Sequence, residues 1–320
     1  MSVQQLQSQL RVALSSTVFG MDKILPLVTI AVLARGHILL EAYPGLGKTL
    51  FARALAKALG GSFGRIQCTA DLMPSDMTGV HVFNDESRRF ELIEGPLFAD
   101  VVLVDEINRT GPKTQSAMLQ AMEERAITID REHYLLAPDF LVIATQNPHD
   151  FEGTYPLPES QIDRFLMKIQ LDYPEADDEI EVLRSYDRAS SRYEDKVSGI
   201  SSIDNTLITA ARAEADQVHV APAIYEFARS IAVATRQSRD VDLGLSTRGL
   251  LALMTSARVA AAMDRKDHVT PDHVKTIAPF VIAHRLLPAA DALLAGEDPM
   301  TLTMRLLRDV PVPRTEPEAG

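Results

Sequence analysis

Cysteine is all but missing from this 320-residue chain, where Cys68 stands alone. One thiol excludes an intrachain disulfide and any CxxC-type metal site, and it fits a reducing compartment. Positive charge is also in short supply: 32 Lys and Arg face 44 Asp and Glu, a formal net charge of -12. That field repels a phosphate backbone, so a sequence-independent hold on DNA or RNA would need a local basic surface, and nucleic acid is not the expected partner. No apolar run reaches the roughly 20 residues that a membrane-crossing helix takes. The longest, "ILPLVTIAVLA" from Ile24, is closed by Lys23 and Arg35 and contains Pro26. The opening "MSVQQLQSQL" has no basic region and no apolar core, so an ordinary secretory signal is not expected and a cytoplasmic location is. The eight histidines form no HExxH and no ligand pair at i, i+4, and no G-x-S-x-G elbow occurs. Neither a zinc site nor a serine-hydrolase elbow is therefore indicated. Internal repeats are absent as well.

What is present is an ordinary globular composition, 46% hydrophobic and 24% charged, on a chain longer than one core usually fills, so two units are expected. "GHILLEA", "RIQCTA", "DVVLVDE", "FLVIATQNP" and "FLMKIQL" are short apolar runs separated by helical segments. They spell an α/β fold whose parallel sheet is covered on both faces. Two stretches alternate instead, "GVHVFNDESRRFELIEG" and "AITIDREHYLLAP". Each predicts a hairpin, Val80 to Ile93 and Ala126 to Leu136, serving either as cover for a sheet edge or as a partner contact. Pro174 and the acids that follow it mark a boundary near Tyr173. Beyond it the pattern is helical, with Thr270 as a cap and Pro271 in the first helical position, and no strand pattern returns. The expected organisation is a core over 1–173 that carries the sheet and both hairpins, a helical unit over 174–308 and a mobile tail over 309–320.

The chemistry starts at Ala42, Tyr43, Pro44, Gly45, Leu46, Gly47, Lys48, Thr49 and Leu50. A strand, a glycine-bearing turn ending in Gly-Lys-Thr and a helix form the context of a phosphate loop, with amide donors, a cation and a metal-binding hydroxyl. The general pattern opens on glycine where this chain has Ala42, a position directly after the strand that need not turn through positive φ. Asp105 and Glu106 close the next buried strand, where ligands collect in open α/β sheets. Asp105 can hold Mg²⁺ together with Thr49, and Glu106 can polarise an attacking water. Taken alone, two carboxylates after a strand also read as a helix start. Asn147, at the tip of a further strand, can orient the same water or close a turn with Pro148. Arg164 can match charge developing on a phosphate, in its own or a neighbouring subunit, or form a surface ion pair. Arg248 lies in the first turn of a helix capped by Ser246, where a cation is poorly placed unless an anion joins it. That anion is a γ-phosphate or a carboxylate.

"YPGLGKT", "VDEINRTGPKTQSAMLQAMEER", "IATQNPHDFEGTYPLPESQIDRF" and "GLSTRGLLAL" together resemble the MoxR family of AAA+ ATPases, from "VFGMDKIL" to "AHRLLP". The resemblance implies a P-loop αβα sandwich with a helical lid, ATP and Mg²⁺ at their interface, and a homo-oligomeric ring, commonly hexameric. It also implies that Asn147 is the sensor, Arg164 the arginine finger and Arg248 the lid sensor, with Val18 and Phe19 lining the adenine pocket. Arg109 becomes a further candidate for contact between subunits. Members of this family look like chaperone-type motors that work with a von Willebrand factor A domain protein on a protein client, often one that acquires a metal cofactor. The loop departs from the family habit, with alanine first and glycine before the lysine rather than the reverse. A helicase-like ring acting on DNA and a scaffold without hydrolysis are the alternatives. The hairpin tips, with Arg88, Arg89 and Arg131 among Asp85, Glu86, Asp130 and Glu132, are mixed in sign.

Overall fold

A computed structural model describes residues 1–15, 17–147, 154–187 and 197–313. The first unit carries strands β1 (Ile38–Ala42), β2 (Phe63–Gln67), β3 (Gly79–Asn84), β4 (Arg89–Glu94), β5 (Val101–Asp105), β6 (Ala126–Ile129), β7 (Glu132–Leu135), β8 (Leu141–Gln146) and β9 (Met167–Leu171). Between them lie helices α1 (Ser2–Ser15), α2 (Leu25–Leu33), α3 (Lys48–Ala58), α4 (Pro74–Thr78), α5 (Pro112–Glu124) and α6 (Glu159–Ile162). The expected runs form one five-stranded sheet in the order β2-β5-β8-β1-β9, parallel throughout. Because side chains alternate across a strand, Ile38, Leu40, Val101 and Leu103 pack on one face with Phe51 and Leu55 of α3. Leu39, Val102 and Val104 pack on the other face with Met118, Leu119 and Met122 of α5. Burial on both sides is what makes these strands continuously apolar. α2 is apolar all round for a related reason, since every residue except Pro26 is buried.

Both predicted hairpins are present, β3 against β4 and β6 against β7. They touch each other through His81 of β3, whose Nδ1 is 2.8 Å from Asp130 Oδ2 and whose Nε2 is 3.0 Å from the Tyr134 hydroxyl.

The second unit contains α7 (Ala176–Asp187), α8 (Asn205–Asp216), α9 (Pro222–Gln237), α10 (Thr247–Met263), α11 (Pro271–Ile282), α12 (Ala290–Leu294) and α13 (Pro299–Asp309). The expectation that no strand returns there is corrected. β10 (Val241–Leu243) and β11 (Leu287–Pro288) form a short antiparallel pair, too brief to leave an alternating signature. Thr270 does cap α11, accepting a hydrogen bond from the His273 N–H, and Pro271 takes the first helical position. Chain order does not separate two cores, because one apolar cluster runs from Phe51 and Val101 to Leu253, Val274 and Ile282. α1 packs on α8 and α10 as well as on α3, joining the start of the chain to the lid. At the other end Asp309 closes α13 and Val310 is buried, while 314–320 of the expected tail lie outside the described residues.

Candidate active site

β1 and β5 both end at one open cleft of about 1100 Å³, lined by residues from Gly45 through Leu50, by Asp105 and Glu106, and by Val18 and Phe19. The loop is held by its glycines. Gly45 and Gly47 sit at φ 83° and 73°, a region open to glycine and strained for other residues. A Cβ at either would point into empty space, which leaves the backbone amides free to approach an anion. Gly47 is also the N-cap of α3 and has no side chain to satisfy that helix's first N–H groups, so they remain available to a phosphate. Ala42 is a buried strand end, 2% exposed, and is not among the residues of positive φ. Alanine there is consistent with the loop.

Lys48 points its ammonium back at the loop, donating to Tyr43 O at 2.9 Å and Ala42 O at 3.3 Å. Burial pushes its pKa down, and the nearby Asp105 and Glu106 oppose that shift. Carbonyls are weak partners for a half-buried cation compared with a phosphate oxygen.

On β5, Asp105 accepts from Thr145 Oγ1 at 2.7 Å and from Arg65 Nη2 at 3.0 Å. Thr145 Oγ1 in turn accepts the Glu106 N–H at 2.9 Å. Glu106 lies at φ 57°. The other non-glycine residues of positive φ among those described are Arg35, Arg88, Arg125, Asp130 and Arg265, which close helices or turn hairpins. Glu106 alone of these follows a strand of the central five-stranded sheet, and strain held in such a place accompanies function. Its Oε2 is 3.2 Å from Arg109 Nε and 3.4 Å from Gln67 Nε2, so Arg109 has a partner within its own chain. Cys68 shares this corner, and burial followed by the charges of Asp105 and Glu106 pushes its thiol up to about 12. The thiol is therefore not a nucleophile here.

The remaining expected residues stand apart from the cleft lining. Asn147 follows the tip of β8, the strand beside β5, while 148–153 of the same motif lie outside the described residues. Arg164 and Arg248 both reach Glu123 of α5: Arg164 Nη2 lies 3.1 Å from Oε2, and Arg248 Nη2 donates to Oε1. The carboxylate reading of Arg248's partner is thus the one found in this conformation. Several residues of the site escaped the sequence reading. Thr145 sits inside "ATQNP" and Arg65 and Gln67 inside "RIQ", where the alternation that puts both on one face was the available signal. Tyr173, read only as a boundary, lines the cleft and stacks on Tyr43 with centroids 5.2 Å apart. Nothing in the sequence pointed to that contact.

A glycine-bearing loop at a helix start, sharing a cleft with two carboxylates at the end of β5, is an arrangement for a nucleotide's phosphates. Comparison with known proteins agrees. Residues 37–167 match the model of the ATPase family associated with various cellular activities (AAA), and residues 233–302 match the AAA lid domain. Chaperone MoxR1 of Mycobacterium tuberculosis is 35% identical, the match covering 95% of this chain and 82% of that protein. The chain belongs to the MoxR family of AAA+ ATPases. The uncharacterized protein YeaC of Bacillus subtilis is 44% identical over 88% of this chain and 87% of its own length. The solved structure of a candidate ATPase from Cytophaga hutchinsonii superposes with a TM-score of 0.88 at 33% identity, covering 98% of this chain and 97% of that one. The P-loop αβα core followed by a helical lid is therefore the fold of a MoxR-type ATPase. Among the described residues no helix is long and apolar enough to cross a membrane.

Proposed function

We propose that this chain binds ATP with Mg²⁺ in the cleft, hydrolyses it as part of a homo-oligomeric ring, commonly hexameric in this family, and uses the cycle to remodel or activate a protein client in the cytoplasm. The observation that carries the reading is the convergence of Gly45–Thr49 with Asp105 and Glu106 on one cleft. Thr49 and Asp105 offer the hydroxyl and carboxylate oxygens that suit a hard cation. Mg²⁺ held there would supply positive charge against that of the phosphates. Loop amides and Lys48 orient the triphosphate. Glu106, on its strained backbone, accepts a proton from the attacking water while Asn147 aligns that water. Arg164 meets the developing charge from the neighbouring subunit, and Arg248 brings the lid onto the γ-phosphate. Val18 and Phe19 flank the adenine. A von Willebrand factor A domain protein as partner, and metal acquisition by the client, follow from the family resemblance.

Phosphate release by the wild type and by Glu106→Gln tests the enzymatic part. Turnover is expected to fall at least 100-fold while ATP still binds. Binding without any turnover in the wild type would leave a nucleotide-dependent scaffold. Stimulation of turnover by DNA would move the function to a nucleic-acid ring, a reading the mixed charges of the hairpin tips do not favour.

A further inference from the structure

We propose that Glu123 is a positioning residue for this ATPase, holding Arg164 and Arg248 on one carboxylate until a γ-phosphate draws Arg248 away. The inference rests on the nucleotide reading above. Glu123 lies in the last turn of α5. Its Oε2 is 3.1 Å from Arg164 Nη2 on the segment leading into β9, and its Oε1 accepts from Arg248 Nη2 at the head of lid helix α10. One acid of the core thus joins an arginine of the core to an arginine of the lid.

The charges on both sides of this bridge are placed against their helices. A carboxylate at a helix C-terminus meets exposed carbonyl oxygens, and Glu124 adds a second negative charge there. Arg248 stands in the first turn of α10, at that helix's positive end. Each misplaced charge offsets the other only while the bridge is closed. None of the three side chains is deeply buried: Glu123 is 40% exposed, Arg248 44% and Arg164 28%. Water screens such pairs, so they add little to stability and exchange partners at small cost. Arg164 Nε is buried and has no hydrogen-bond partner among the described residues, so part of that guanidinium's donor capacity is unspent.

Next to this exchangeable bridge is a fixed one. Asp163 accepts from Arg285 Nε at 2.7 Å and from Ser246 Oγ at 2.9 Å. Ser246 Oγ also takes the Gly249 N–H at 2.9 Å, capping α10. Arg285 is 3% exposed, and breaking a buried pair strands a charge in the interior. The head of α10 is therefore tied to the residue before Arg164, while Arg248, two residues beyond Ser246, is free to trade partners. A γ-phosphate offers Arg248 several charged oxygens in place of one oxygen of a shared carboxylate. ADP has no such group. Glu123 accordingly sets how strongly the protein distinguishes ATP from ADP, and it retains Arg164 when Arg248 leaves.

The test is calorimetric binding of Mg-ATP and Mg-ADP to the full chain in a Glu106→Gln background, where ATP is not consumed, with and without Glu123→Gln. Removing the competing carboxylate is expected to tighten ATP binding about fivefold and to leave ADP binding within twofold. The same change added to Arg248→Ala is expected to do nothing to ATP. Equal shifts for ATP and ADP, no shift for either, or an effect that survives Arg248→Ala would each overturn the proposal. If Glu123→Gln does not fold, Glu123→Asp, whose shorter arm cannot span both guanidiniums, must raise the ATP-to-ADP affinity ratio or the proposal fails. A parent chain that binds neither nucleotide sinks the nucleotide reading and this proposal with it, whereas intact binding with an unchanged ratio sinks the clamp alone.

Discussion

Where the strands of the central sheet begin, polar groups are consumed by the fold. His37 spends both ring nitrogens, Nδ1 accepting the Val142 N–H at 3.0 Å and Nε2 meeting Met122 O at 3.1 Å. Asp139 takes Arg212 Nη1 at 2.5 Å, while Arg125 reaches the Arg35 and Phe140 carbonyls. Where the same strands end, Lys48 donates to the Ala42 and Tyr43 carbonyls and Glu106 sits on a strained backbone. Both ends hold residues at positive φ, but Arg35 and Arg125 terminate helices, an ordinary use of the left-handed conformation. Glu106 has no such excuse. One end of the sheet is finished by its own side chains and the other is left for a ligand to complete.

The largest expected effect follows from that contrast. Lys48→Ala should weaken Mg-ATP binding by at least 100-fold, because it removes the cation nearest the loop amides and its charge-assisted bonds to phosphate. Its melting temperature should stay close to that of the wild type, since the ammonium's present partners are loop carbonyls. Titration calorimetry with a thermal melt checks both. A large drop in melting temperature would show that the ligand end is as structural as the other.

Next comes His37, the counterpart at the finished end. Burial pushes its pKa from 6.5 to about 4, so the unfolded chain binds a proton there that the folded chain refuses. The stability it contributes is fully present above pH 6.5 and is lost as pH falls toward 4. That window is worth about 3 kcal/mol. His284, partly buried and beside Arg285, is pushed the same way by desolvation and by that charge and adds to the slope. His37→Gln should flatten part of the stability-versus-pH curve measured by urea unfolding between pH 7 and pH 4.5. It should also cost about 1–3 kcal/mol at pH 7, since the Val142 N–H or the Met122 carbonyl loses its partner. An unchanged slope would mean that His37 is not refusing the proton.

The same contrast explains what could be read before the fold was known. Continuous runs such as "VVLVD" were legible as buried strands because two covered faces leave no polar register, and Gly45 and Gly47 were legible because few other residues tolerate their backbone. The β10 and β11 pair was not, since three residues and two residues carry no period. Thr145 was hidden because a threonine in a strand is ordinary until its hydroxyl is seen between Asp105 and Glu106. Glu123 was hidden for a similar reason: a charged pair at a helix end looks like solvent-facing surface, and only tertiary structure brings Arg164 and Arg248 onto it.

A smaller effect sharpens the contrast from the strained side. Glu106→Gly should abolish turnover and yet raise stability by about 1 kcal/mol, because glycine adopts φ 57° without the Cβ penalty. A residue chosen for stability would lose on replacement. Urea unfolding of the apo protein measures the sign, and a loss would show that the contacts of Glu106 with Arg109 and Gln67 outweigh its backbone strain.

The smallest effect belongs to Ala42, where the loop departs from the pattern that opens on glycine. Its side chain is buried and its backbone belongs to β1, so it sits on the finished side of the border although it starts the phosphate loop. Ala42→Gly should leave Mg-ATP affinity within twofold and lower stability by about 1 kcal/mol through backbone entropy and the lost burial of one methyl group. Were ATP binding to tighten tenfold instead, the methyl group would be obstructing the anion, and the line between the part of the sheet built for stability and the part built for ligand would have to be drawn one residue earlier.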